Sequence, residues 1–108
     1  MSDCIFCKIA KGDIPADKIY EDDELLAFKD IRPAAPVHFL IIPKRHIDSL
    51  LTTTKEDEAL LGKMLGLTSV LARQQGLAAG YKTAINTGHA GGQEVFHLHL
   101  HVLGTPAQ

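Results

Sequence analysis

The hydrophobic pattern of the chain changes period several times. Cys4-Ile5-Phe6-Cys7-Lys8-Ile9-Ala10 is a short apolar segment halted by Gly12, which predicts one or two amphipathic helical turns. Pro15 then imposes an extended path. Lys18-Ile19-Tyr20-Glu21 and Leu25-Leu26-Ala27-Phe28 predict two short strands flanking the acidic turn Asp22-Asp23-Glu24, the signal of a hairpin. That carboxylate cluster reads as a solvated turn and is assigned no chemistry. Pro33 and Pro36 punctuate a loop before Val37-His38-Phe39-Leu40-Ile41-Ile42, a β-branched and aromatic run ended by Pro43 and expected to be the central strand.

Thr52-Thr53-Thr54 with Glu56 and Asp57 offers an N-cap and early-turn acids, and Gly76 closes the pattern, so one long helix is expected between them. Its middle, Ala59 to Ala72, is apolar around too much of its circumference to face a single sheet. Gly62 and Gly66 share a face and would let another element come close to the backbone. A homodimer accounts for such a helix; deep burial within the monomer is the alternative. Tyr81 to Asn86 reads as a strand, Thr87-Gly88-His89-Ala90-Gly91-Gly92-Gln93 as a connection, and Val95 to Leu103 as the last strand. With strands outnumbering helices, tight turns between them and one helix crossing the sheet, the fold class is α+β.

Composition narrows the classes of function. At 108 residues one domain, residues 1–108, is expected. Thirteen acidic against eleven basic residues give a charge of −2, so no overall positive field exists to hold a nucleic acid or an anionic membrane. Two cysteines, close in sequence, do not make a secreted disulfide framework. No run approaches the roughly 20 apolar residues of a membrane span, and Met1-Ser2-Asp3-Cys4 carries no basic region leading into an apolar stretch. A cytoplasmic location is the expectation.

Chemistry concentrates in His97-Leu98-His99-Leu100-His101-Val102-Leu103. Alternation along a strand puts three imidazoles on one face and Leu98, Leu100 and Val102 on the other. A small domain gives up apolar contact area to keep three histidines together, so a purely structural row is disfavoured. Three uses compete. A transition metal suits imidazole, but no carboxylate stands nearby in the sequence. A pH-responsive packing cluster would need several buried rings that charge near pH 6.5. Nucleophilic attack at phosphorus uses all three rings: one neutral imidazole attacks while its neighbours donate to the phosphoryl oxygens. The middle ring is best flanked for attack.

The row resembles the His-φ-His-φ-His-φ-φ signature of the histidine triad (HIT) superfamily. The likeness extends through Cys4-Ile5-Phe6-Cys7-Lys8-Ile9, Ile14-Pro15-Ala16, Phe28-Lys29-Asp30-Ile31, Ala35-Pro36-Val37-His38-Phe39 and Gly91-Gly92-Gln93-Glu94-Val95-Phe96. Nearly the whole chain is similar to bacterial Hint-type members, nucleotide-binding proteins that hydrolyse purine nucleoside phosphoramidates. The resemblance implies a five-stranded antiparallel sheet with one long and one short helix, and a homodimer in which two sheets join. It implies that His99 is the nucleophile forming a nucleotidyl-imidazole intermediate, that His101 and His38 hydrogen-bond the phosphoryl group and support the nucleophile, and that His97 orients the array. By the same resemblance Asp30 accepts both ribose hydroxyls, and Ile5, Phe6, Ile9, Phe28 and Ile31 line the purine pocket. Asn86 and the backbone amides of Gly92, Gln93, Glu94 and Val95 are implied as donors to the phosphate of an AMP-like or GMP-like ligand. Oriented amides can bind an anion without net basic charge.

Cys4-x-x-Cys7 admits three readings. A thioredoxin-like redox pair expects a preceding strand, and only three residues precede Cys4. Two reduced, half-buried thiols are the second. The third is a structural zinc site, because relatives with this start recruit a histidine after the central strand and the first triad histidine, here His46 and His97. Such a metal would brace the N-terminal segment and take no part in hydrolysis. The chain departs from eukaryotic relatives at Glu94, where those carry a serine assisting the leaving group, and in its short tail after Gly104. Phosphoramidate hydrolysis is the leading expectation. A Fhit-type dinucleoside polyphosphate hydrolase and a nucleotide-binding module with incidental hydrolysis are the alternatives.

Overall fold

A computed structural model describes residues 4–107; Met1 to Asp3, over which a leader was sought, and Gln108 lie outside the described residues. Helix α1 spans Ile5–Lys11, strands β1 to β3 span Lys18–Glu21, Leu25–Lys29 and Val37–Pro43, helix α2 spans Glu58–Gln74, and strands β4 and β5 span Lys82–Ala84 and Leu100–Gly104. The strands form one antiparallel sheet in the order β1-β2-β3-β5-β4, with β3 at its centre as its β-branched run requires. No helix among the described residues is long and apolar enough to cross a membrane.

Alternation explains the layering. Leu25, Ala27, Phe39, Ile41, Leu100 and Val102 pack with Met64, Leu71 and Ala72 of α2 on one face. Leu26, Phe28, Leu40 and Ile42 meet Phe6 and Ile9 of α1 on the other. Seven residues make too short a helix to persist alone, so α1 depends on burying those two side chains. Its ends are closed locally: Cys4 Sγ accepts the Cys7 amide at 3.3 Å, and Gly12, at φ +86°, returns its amide to Ile9 and Lys8 carbonyls.

Helix α2 begins later than the threonine run implied. Two 3₁₀ turns, Leu50–Thr52 and Lys55–Asp57, intervene, and Thr54 caps the second in reciprocal bonds with Glu56 and Asp57. The predicted apolar excess is present, but only one side is buried within the chain: Leu65 and Val70 remain 58% and 47% exposed, with open space beside Gly62 and Gly66. Deep burial inside the monomer is therefore not the explanation.

The last strand is shorter than predicted. Regular pairing starts at Leu100, opposite Ile41, and Val95 to His99 lie outside the ladder. The reason is Pro43 at the end of β3, which has no amide to offer a partner. Its carbonyl instead accepts the His97 ring, and the Leu98 amide donates to Ile47 at 2.6 Å. The next strand over is shorter too: β4 keeps Lys82 to Ala84 of the expected Tyr81 to Asn86, and in that register Asn86 falls opposite His99, outside the ladder. Sidedness survives, because Leu98 still packs on the α2 side and the His99 and His101 rings on the other. The acidic turn is structural. Asp22 accepts the Glu24 and Leu25 amides and the Tyr20 hydroxyl, and Lys63 of α2 reaches Asp22 and Glu24.

Candidate active site

A cleft of about 520 Å³ opens on the α1 face of the sheet, within the size range of small-molecule sites. Phe6, Ile9 and Phe28 form its apolar end, with Ile5 and the 91% exposed Ile31 at the rim. Asp30 stands just after β2 and His38 on β3, and Asn86, Gly92, Glu94, Val95, His99 and His101 complete the lining. Ile14, Pro15, Ala16, Lys29, Arg32 and Leu40 also line it, although the sequence assigns them no role in the site. Leu40 was legible in principle, lying two residues beyond His38 on the same strand face.

The hydrogen bonds assign every proton in the histidine array. The Ala34 amide donates to His38 Nδ1 at 3.0 Å, so the His38 proton sits on Nε2 and is donated to His101 Nδ1 at 3.0 Å. His101 must then carry its own proton on Nε2. His99 Nδ1–H donates to the His97 carbonyl at 2.7 Å, which leaves the Nε2 lone pair unshared. The result is a nucleophilic nitrogen on His99 beside a donor N–H on His101, their rings 4.9 Å apart and inclined at 65°. Phe6 holds the His99 ring edge-on at 5.1 Å. Burial, with the neighbouring His99 and His38 rings, pushes the His101 pKa down to about 4, so the donor arrangement stays neutral across the physiological range.

Folding also supplies the carboxylate that the sequence around the triad lacked. Asp30 Oδ2 lies 3.4 Å from His38 Nε2, while Oδ1 accepts the Arg32 amide. Asp30, His38 and His101 lie within metal-ligand reach of one another. Ligation through His38 Nε2 would require a proton on Nδ1, where the Ala34 amide already points its own, so the trio is better described as a His38–His101 hydrogen bond with the Asp30 carboxylate beside its donor nitrogen.

His97 departs from the expected row. Its ring, fully buried, does not line the cleft; Nε2–H donates to the Pro43 carbonyl at 2.7 Å and Nδ1 faces Cys4 and Cys7. What it gives His99 is its main-chain carbonyl. Gln93 also departs. Its side chain is buried, with Oε1 accepting the Gly88 amide and Nε2 donating to the Asp48 and Val95 carbonyls. The Gly92 and Gln93 amides are engaged by His89 and Gly88 carbonyls. Of the four implied phosphate-binding amides, only those of Glu94 and Val95 find no acceptor among the described residues.

Beyond the cleft wall Cys4, Cys7, His46 and His97 converge, their four ligand atoms within 4.8 Å of one another. Cys4 Sγ lies 3.3 Å and Cys7 Sγ 3.5 Å from His97 Nδ1, and Cys7 Sγ lies 3.2 Å from His46 Nδ1. Bonds of about 2.3 Å to sulfur and 2.0–2.1 Å to nitrogen place neighbouring ligands of tetrahedral zinc about 3.3–3.8 Å apart. The donor set fits in its outer contacts too: both rings have the far nitrogen tied down, His97 to Pro43 and His46 to Asp48 at 2.6 Å, so both Nδ1 lone pairs face the thiols. Burial and the adjacent Cys4 thiol push the Cys7 thiol above its ordinary value while it remains a thiol.

Known proteins match both the sequence and the fold. The family described as Scavenger mRNA decapping enzyme C-term binding matches residues 3–108. Protein HitA of Neisseria gonorrhoeae is 58% identical over 106 residues, covering 98% of this chain and 99% of its own. The HIT family hydrolase from Legionella pneumophila Philadelphia 1 shares 50% identity and a TM-score of 0.92, over 94% of this chain and 92% of its own. A Zn-bound histidine triad family protein from Mycobacterium smegmatis shares 43% identity and a TM-score of 0.83, over 96% and 76% respectively.

Proposed function

We propose, from a chain that belongs to the histidine triad family, that residues 1–108 act as one nucleotide-binding hydrolase domain. Its reaction is cleavage of the P–N bond of purine nucleoside monophosphoramidates. The observation that carries this reading is the bond from His99 Nδ1–H to the His97 carbonyl, which turns an unprotonated Nε2 beside the His101 donor. In the proposed reaction His99 Nε2 bonds to phosphorus, and the P–N bond breaks as the departing nitrogen takes a proton from solvent at the open mouth. The His99 ring becomes a nucleotidyl-imidazolium that keeps Nδ1–H against the His97 carbonyl. Water then attacks phosphorus, releasing the nucleoside monophosphate and a proton and restoring neutral His99.

His101 Nε2–H supports charge on a phosphoryl oxygen, and His38 holds that proton in place. The Glu94 and Val95 amides and Asn86 donate to the phosphate, Asp30 accepts from the ribose, and the Phe6, Ile9 and Phe28 end takes the purine. Cys4, Cys7, His46 and His97 would hold one zinc ion, whose role is to cross-link α1 to the segment before β5. Family membership and the similarity to a Zn-bound relative support that assignment. The exposed face of α2 supports a homodimer.

The test is hydrolysis of an adenosine phosphoramidate followed by phosphorus NMR. His99→Ala should lose about 10³-fold or more in kcat/KM. A variant working at the parental rate refutes the nucleophile, and a parent that binds AMP without hydrolysing the amide is a binding module.

A further inference from the structure

We infer that Glu94 selects the leaving group, so that the cleft favours phosphoramidates whose amine carries an additional positive charge and disfavours anionic leaving groups. This rests on the phosphoramidate reading and extends it to the side of the substrate that departs.

The placement of Glu94 is set by its neighbour. Gln93 is buried and bonded three ways to Gly88, Asp48 and Val95, which pins the backbone on both sides of residue 94. Glu94 itself is exposed, lines the cleft and forms no ion pair among the described residues. Charge along the cleft is uneven. Its lysine and arginine, Lys29 and Arg32, flank Asp30 at the β2 end. The side formed by Asn86, Gly92, Glu94, Val95, His99 and His101 has Glu94 as its one fully ionic side chain among the described residues, because His101 is held neutral.

Direction of attack does the rest. His99 is buried, so a bond broken in line with its attack points away from the cleft floor, toward the exposed rim to which Glu94 belongs. A second ammonium on the departing amine meets an unpaired carboxylate there. A carboxylate or a phosphate on the leaving group meets the same charge with no cation to offset it. Two unit charges about 6 Å apart across a water-exposed mouth change a rate threefold to tenfold. A dinucleoside polyphosphate, whose leaving group is itself a nucleotide, falls on the disfavoured side.

The experiment compares kcat/KM for three AMP amides matched in length: those of an alkylamine, of the corresponding α,ω-diamine and of the corresponding ω-amino acid. The parent should rank diamine over alkylamine over amino acid, by about threefold to tenfold at each step at low salt. Glu94→Gln should bring the three within about twofold, Glu94→Lys should reverse their order, and molar salt should compress the parental ratio. Hydrolysis of all three at equal efficiency by the parent, or a ranking that persists in Glu94→Gln, overturns the role of Glu94 and leaves the phosphoramidate reading standing. Hydrolysis of none removes that reading and this inference with it.

Discussion

Acidification should cost this protein stability through one ring. His101 has an ordinary imidazole value of 6.5 in the unfolded chain and about 4 in the fold, chiefly because of burial, and then because of the His99 and His38 rings beside it. Between those two values the unfolded chain binds the proton and the folded one does not, so stability falls as the pH drops from about 6.5 toward 4. At 1.36 kcal/mol per pH unit the difference of 2.5 has a ceiling of about 3.4 kcal/mol, of which about 2.6 is reached by pH 4.5. His101 is only partly buried, and solvent screening reduces the working figure to about 1–2 kcal/mol. Urea unfolding at pH 7.5 and 4.5, compared between the parent and His101→Asn, isolates the contribution. The buried His97, also lowered by burial, and the strongly hydrogen-bonded Asp22 act in both proteins and cancel. The parent should lose about 1–2 kcal/mol more than the variant over that interval. Equal losses refute the argument, as does a His101 ring that titrates near 6.5 by NMR in the folded parent.

Three further outcomes follow from particular contacts. Gln93→Ala leaves the Gly88 amide and two carbonyls without their buried partner, and should cost about 1–3 kcal/mol in thermal unfolding while weakening AMP binding by calorimetry. Unchanged affinity would show that the loop amides do not hold the phosphate. Leu65→Glu, on the exposed face of α2, should give a monomer by sedimentation with fold stability altered by no more than about 0.5 kcal/mol; a dimer that survives it places the interface elsewhere. Protein purified without chelator should contain near-stoichiometric zinc, and Cys4→Ser should lose it with a lower unfolding midpoint. A metal-free parent ends the zinc assignment.

The fold was legible where local chemistry and tertiary demand agree. The β-branched run at Val37 to Ile42 is the central strand, Gly12 ends α1 with a positive φ, and alternation sorted Leu98, Leu100 and Val102 from the histidines. It was less legible where a backbone group found a partner far away in sequence. Nothing local to Val95 to His99 says that the ladder must wait for Leu100, because the cause is the missing amide of Pro43, more than fifty residues earlier. The candidate site divides the same way. His99 and His101 were readable from spacing, with His38 and Asp30 added by family resemblance. The approach of Asp30 to the His38–His101 hydrogen bond, and the inward turn of Gln93, exist only once β2, β3 and the loop before β5 are side by side.

The oxygen that sets the state of His99 belongs to the peptide unit of residue 97, not to its side chain. Whatever amino acid occupies that position brings an equivalent acceptor, provided the chain follows the same course. The protonation state of His99 is thereby insulated from change at the neighbouring thiol cluster: a descendant can exchange its cysteines and the first histidine of the row, abandon the ion they would share, and still keep the same nitrogen lone pair free.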